Sequence, residues 1–179
     1  FNAAVSLNID VKKLVEEVDS LTFCLSKGLS APIGSIICGN EEFIYNARRT
    51  RKALGGGMRQ AGIIAAAGIY SLDKMIDQIQ KDHQNTKRLA EGIDNIDGLS
   101  VDKKNIKTNI LYFYIENGKM RSGELAHQTK NIDIYPFEIR LKNIRFFESR
   151  PDHFRLVTHF GITSDDVERA LEVFENIIK

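Results

Sequence analysis

The chain has 179 residues, 42% of them hydrophobic and 27% charged, with 25 Lys and Arg against 24 Asp and Glu. That length suits one sizeable domain or parts of two, and the composition is that of a globular protein. A net charge of +1 gives no reason to expect nucleic acid or membrane as a partner, and no apolar run approaches the roughly 20 residues a spanning helix needs.

The chain opens on Phe1-Asn2-Ala3-Ala4-Val5, without initiator methionine, signal peptide or capping pattern. It reads as the interior of a helix already under way, so the expectation is a fragment lacking its upstream half. Asp10 is an N-cap for a helix over Val11 to Val18, whose Val11, Leu14, Val15 and Val18 define one apolar face. Next come the β-favouring run Ser20 to Leu25, the tripeptide Ser26-Lys27-Gly28, a small-residue turn and a second apolar run, Ile33 to Cys38. That second run reads as a strand buried on both faces, the usual sign of a sheet covered by helices. Cys24 and Cys38 both lie in these runs and are expected to be reduced, buried thiols.

Glu41 to Leu54 predicts a helix with a basic cluster, Arg48, Arg49, Arg51 and Lys52, followed by Gly55-Gly56-Gly57-Met58-Arg59-Gln60. A charge run is ordinarily a solvated face. Three consecutive glycines, however, are costly to order and suit a sharp turn or a close approach. Their N–H groups, at the start of the next helix and beside Arg59, are a candidate anion site. That next helix is expected from about Met58 towards Asn95. Its first part, Ala61 to Ile69, is apolar all round and should be buried; its second part is amphipathic, with His83 exposed among Lys81, Asp82 and Gln84.

Beyond Gly98 the elements shorten. Strands are expected over Thr108 to Glu116, Ile144 to Phe147 and Phe154 to Phe160, with a turn at Asn117-Gly118. A short helix begins at Ser122, and Ile132 to Pro136 is extended. Thr163 and Asp166 resemble a capping box opening a last helix, with Val167, Ala170, Leu171, Phe174 and Ile178 at helical spacing. The organisation expected is α/β: residues 1–57 ending a larger domain, 58–95 a connecting helical region, and 96–179 a small α/β domain.

Four cations stand out as candidate site residues: Lys27, Lys52, Arg59 and Arg155. A lysine delivered to a strand end suits Schiff-base chemistry with a carbonyl cofactor, because its pKa shifts readily; it is equally the pattern of a surface lysine in a turn. Arg155, among apolar strand residues, points to water, is paired, or faces a cleft where its guanidinium can grip a carboxylate. His83, His127, His153 and His159 have no metal-ligand spacing, and neither a Gly-x-Ser-x-Gly elbow nor a nucleotide phosphate loop is present.

Phe23 to Ser35 resembles the cofactor-lysine segment of the low-specificity L-threonine aldolases. Gly55 to Gly62 is similar to that family's glycine-rich signature, and Arg155-Leu156-Val157-Thr158-His159 to its carboxylate-binding strand. The resemblance covers essentially the whole chain, with the three motifs in the family's order. It implies the C-terminal half of a fold-type-I pyridoxal 5'-phosphate enzyme, the end of a large-domain sheet plus a small α/β domain. The reaction implied cleaves L-threonine or L-allo-threonine to glycine and acetaldehyde. By the same resemblance Lys27 holds the cofactor covalently, Arg155 binds the substrate carboxylate, and Lys52 and Arg59 serve the cofactor phosphate or its water network. It also implies a homotetramer, a dimer of dimers with active sites at a dimer interface; a cytoplasmic location is a separate expectation. The acidic partner of the cofactor's ring nitrogen and the phosphate loop belong upstream of Phe1, so these 179 residues alone are expected to be inactive. Two other readings are another fold-type-I enzyme of amino-acid metabolism, such as an aminotransferase, and a non-catalytic assembly chain of that fold.

Overall fold

Capping side chains and apolar spacing account for most of the elements. The computed structural model describes residues 1–116, 138–141, 144–150 and 152–178, and the chain forms two units, Phe1–Ile79 and Gln80–Lys179. The junction falls inside the helical region expected over 58–95.

The first unit holds α1 (Asn2–Leu7), α2 (Val11–Leu14), β1 (Ser20–Cys24), β2 (Ser35–Gly39), α3 (Glu41–Ala53), α4 (Gly62–Lys74) and the start of α5 (Ile76–Asp94). Asp10 caps α2, its Oδ1 accepting the Lys12 N–H at 2.8 Å, but the helix stops at Leu14 rather than reaching Val18. Asn40 caps α3 in the same way, accepting the Phe43 N–H at 2.8 Å. Glu41 and Glu42 then sit in the first turn of α3 and Arg51 and Lys52 in its last, each matched to the helix dipole.

β1 and β2 pair antiparallel, with Leu21 opposite Cys38, Phe23 opposite Ile36 and Cys24 opposite Ser35. Opposed residues share a face and neighbours alternate, so Cys24 and Cys38 lie on opposite faces and both are free thiols. The expectation that Ile33 to Cys38 is buried on both faces does not hold. The strand begins at Ser35, and Ile36 and Ile37 remain 37% and 50% exposed. Burial of both faces needs a layer on each side. The core of this unit is only Leu25, Leu29, Ala31 and Ile79, with Phe1, Val5, Phe23, Leu72 and Ile76 packed around it.

The single long helix is two. α4 ends at Lys74 and α5 starts at Ile76, with Met75 between them as the C-cap of α4 at φ −104°. Upstream of that break the Ser71 hydroxyl donates to the Ala67 carbonyl at 2.9 Å, a back-bond that bends helices. The apolar run in α4 is not buried within its unit. Gly68 and Ser71 face inward, while Ile63, Ile69 and Tyr70 are exposed.

The second unit holds the rest of α5, β3 (Leu99–Val101), a 3-10 turn at Lys103–Asn105, β4 (Ile110–Ile115), β5 (Glu138–Leu141), β6 (Ile144–Arg150), β7 (His153–Val157) and α6 (Ser164–Ile178). The strands form an antiparallel sheet in the order β3-β4-β7-β6-β5. Leu111, Phe113, Ile115, Phe154 and Leu156 line its inner face, packed with Leu89 and Ile93 of α5 and Val167 and Phe174 of α6. Phe113 stacks on Phe154 at 5.1 Å and meets Phe174 edge-on at 5.3 Å. Thr163 makes the capping box: its N–H donates to Asp166 Oδ2 at 3.0 Å and its Oγ1 accepts the Asp166 N–H at 3.2 Å. The turn at Asn117-Gly118, the helix from Ser122 and the extended run Ile132 to Pro136 lie outside the described residues.

His83 is a further correction. It is buried, as are Asp82 and Thr86, because the inward stripe of α5 runs Ile79, Asp82, His83, Thr86, Leu89, Ala90 and Ile93. Helical spacing outweighs the local polarity that suggested a solvated face.

Candidate functional site

Lys27 stands at the tip of the connection between β1 and β2. Leu25 donates its N–H to Gly34 at 2.9 Å, Ala31 donates to Leu25 at 3.0 Å, and Ser30, at φ +58°, donates to the Lys27 carbonyl at 2.8 Å. Leu25, Leu29 and Ala31 are buried, so the turn is anchored from within while Lys27 is exposed. Gly28 lies close to the chain's first helix: a Cβ there would stand 2.6 Å from the Asn2 side-chain nitrogen, which would have to shift. Among the described residues Lys27 makes no ion pair and no side-chain hydrogen bond.

Lys52 lies in the last turn of α3, and Arg59 lies in the segment between α3 and α4; both are exposed. The glycine run does not open the next helix, as the sequence suggests; it closes the previous one. Gly55, at φ +83°, donates its N–H to Lys52, Gly56 to Arg51 at 2.8 Å, and Gly57 to Gly55. All three N–H groups are committed to backbone carbonyls, so they form no anion cradle, and α4 begins only at Gly62. What the run does leave is room beside a cation. A Cβ on Gly57 would lie 3.2 Å from the Lys52 ammonium nitrogen. Neither Lys52 nor Arg59 has an ion pair among the described residues. Arg49 of the same cluster sits over the Tyr45 ring at 5.8 Å.

Arg155 belongs to the second unit, in the interior strand β7, opposite Tyr112 of β4 and Phe147 of β6. Alternation turns Phe154 and Leu156 into the core, which places Arg155 on the face away from α5 and α6. The residue is half-buried and engaged elsewhere, while its buried Nε donates no hydrogen bond among the described residues. Three of the four predicted cations thus lie in the first unit and one in the second.

Sequence reasoning passed over a polar cluster beneath β7. Thr158, 3% exposed, meets Thr86 of α5 at 2.7 Å between hydroxyl oxygens and the Asp82 carbonyl at 2.6 Å. The signal was available as polar residues at helical spacing inside an apolar stripe. Next to it, burial lowers the pKa of His83, opposed by the Asp82 carboxylate and reinforced by Lys87. Among the described residues no group of three His, Cys, Asp or Glu is arranged to hold a metal ion, and no helix is long and apolar enough to cross a membrane.

Residues 1–116 match the family described as beta-eliminating lyase. The chain is 39% identical over 175 residues to low-specificity L-threonine aldolase 1 of Arabidopsis thaliana, covering 98% of this chain and 46% of that protein. With the low specificity L-threonine aldolase of Escherichia coli K12 the identity is 50% over 91 residues, covering 51% of this chain and 27% of that one. The threonine aldolase structure from Leishmania major aligns with a TM-score of 0.67 at 18% identity, over 99% of this chain and 49% of that chain. At that identity the likeness establishes a shared α/β fold. The chain spans about half the length of the Arabidopsis relative it matches, 46%.

Proposed function

Because the chain belongs to the beta-eliminating lyase family, we propose that the protein is a pyridoxal-phosphate-dependent aldehyde-lyase that cleaves L-threonine or L-allo-threonine to glycine and acetaldehyde. The observation that carries this reading is the extent of the family match, which runs through the Lys27 turn, Lys52 and the glycine-rich segment with Arg59. The residues present fit the cofactor. Among the described residues Lys27 is an uncommitted amine on an anchored turn, and Lys52 and Arg59 are uncommitted cations for a phosphate.

When bound, the cofactor supplies the electron sink for the pair left on Cα as the Cα–Cβ bond breaks. Lys27 is its covalent anchor, held at a defined point by the buried Leu25, Leu29 and Ala31. The guanidinium of Arg155 takes the substrate carboxylate in a bidentate grip and so fixes the amino acid's orientation. Lys52 and Arg59 offset the phosphate charge. We further propose a homo-oligomer, tetrameric as a dimer of dimers. The exposed apolar side chains Leu54, Met58, Ile63, Ile69 and Tyr70 support that reading, since so much apolar surface favours being covered.

Borohydride reduction of the full-length, cofactor-loaded protein, followed by peptide mapping, tests the assignment: a pyridoxyl group on Lys27 is expected, and its absence there overturns the reading. A product assay with threonine separates a lyase from an aminotransferase, the former yielding glycine and acetaldehyde and the latter an α-keto acid.

A further inference from the structure

Three oxygens close a small triangle between α5 and the end of β7. The Thr86 and Thr158 hydroxyls are 2.7 Å apart, and each lies in bonding range of the Asp82 carbonyl, at 2.9 and 2.6 Å. Two hydroxyl protons serve three edges, because each hydroxyl donates once and the carbonyl only accepts. Two arrangements therefore bond two edges without leaving the short Thr86–Thr158 contact unbonded. Either Thr158 donates to Asp82 and Thr86 to Thr158, or Thr86 donates to Asp82 and Thr158 to Thr86. In both, Thr158 donates its proton to α5.

The rest of Thr158 is held as well. Its N–H donates to the Asn109 carbonyl at 3.0 Å, and its carbonyl accepts from Asn109 Nδ2 at 2.8 Å. Four residues on, Asn85 of α5 donates to the Ile162 carbonyl at 2.8 Å. The exit of β7 is thus fastened to β4 through Asn109 and to α5 through Thr158 and Asn85. Pairing with β4 and β6 sets the register of β7 within the sheet, and the buried Phe154 and Leu156 fix which face Arg155 occupies, but the apolar contacts between sheet and helix are non-directional and set the strand's place along α5 only loosely. Directional hydrogen bonds at its end set it closely.

We propose that Thr158 is a positioning residue for carboxylate binding at Arg155, three residues upstream on the same strand: its hydroxyl bond to α5 fixes how far β7 extends along the helix. Arg155 lies roughly 10 Å from Thr158 along an extended chain. Bidentate recognition loses strength steeply with misplacement, so a slackened strand end weakens substrate binding before it weakens the chemistry. The proposal rests on Arg155 being the carboxylate site.

The triangle makes an asymmetric prediction. In Thr158→Val the remaining Thr86 hydroxyl satisfies Asp82, and no hydroxyl bond joins α5 to β7. In Thr86→Val the Thr158 hydroxyl still donates to Asp82, so the tie survives. In the full-length, cofactor-loaded enzyme, T158V is expected to raise KM for threonine about tenfold with kcat changed less than about twofold, and to weaken glycine binding in calorimetry in proportion. T86V is expected to change KM less than about threefold, and T158S, which keeps the hydroxyl, to stay near the parent. Should T158V fail to fold, T158A against T158S isolates the same hydroxyl, both having lost the methyl group. Equal KM shifts in T158V and T86V, or a lowered melting temperature with KM and glycine affinity unchanged, would overturn the proposal. Arg155→Gln separates the two levels. If it leaves KM unchanged, the carboxylate assignment falls and this proposal with it. If it raises KM sharply while T158V does not, only the positioning role falls.

Discussion

The two units differ in how they dispose of their apolar residues. In Gln80–Lys179 the sheet, α5 and α6 enclose Phe113, Phe154 and Phe174, each 1% exposed or less. In Phe1–Ile79 a helix that is apolar all round leaves Ile63 at 78% exposure, and Leu54 reaches 83%. One unit satisfies its own hydrophobic pattern; the other carries more apolar surface than its own elements cover. The second kind of unit also carries three of the four candidate cations. Stability and chemistry are therefore expected to respond to mutation in different halves of the chain.

The largest separation comes from Lys27→Ala. If Lys27 is the proposed covalent anchor, its removal is expected to cut threonine cleavage by about 10³-fold or more in the full-length protein while leaving the melting temperature near the parent's, as kinetics and calorimetry would show. Phe113→Ala inverts that outcome. Emptying the stacked aromatic cluster is expected to cost about 3–5 kcal/mol, read by denaturant unfolding. Thr163→Ala removes a capping box in the same unit and should cost about 1 kcal/mol in that measurement.

A pH series sharpens the contrast further. The folded state holds the His83 pKa below its ordinary 6.5 through burial, so the unfolded chain binds more protons than the folded one between those two values. Stability is therefore full above about pH 6.5 and declines as pH falls towards the lowered value. His83→Gln is expected to flatten the melting-temperature profile in that window; an unchanged slope would place its origin elsewhere. The smallest effect belongs to Ile63→Ala, exposed on α4, which should shift the stability of an isolated chain by no more than about 0.5 kcal/mol. In the full-length protein a larger destabilisation, accompanied by a change of oligomeric state in analytical ultracentrifugation, would show that this face is covered there.

The local signals were the legible ones. Thr163 with Asp166, Asp10 before Val11 and the strand-forming runs around Phe113 and Phe154 depend on neighbours within a few residues, and each appears where the sequence puts it. The Lys27 turn was legible for the same reason. Its Ser-Lys-Gly order and the small residues after it encode a tight connection, and Asn2 approaches the glycine that follows the lysine closely. The errors fell where burial depends on residues far apart. Polarity around His83 pointed to water, but the face of α5 it shares with Ile79 and Ile93 packs inward. The glycine run read as an anion cradle until its N–H groups proved to be spent on Arg51, Lys52 and Gly55.

Sequence alone determined which chemical groups this chain carries: a lysine on a glycine turn, a basic segment beside three glycines and an arginine within an apolar strand are covalent facts that survive any packing. Tertiary structure decided which of these groups are free to act. The backbone bonds that close α3 withdrew the glycine N–H groups, the pairing of β4 with β7 put Arg155 on the face away from the helices, and the meeting of Thr158 with Thr86, 72 positions apart, tied that strand to α5. Pairings across such distances depend on which surfaces become buried together, and a one-dimensional pattern of polarity does not carry that information.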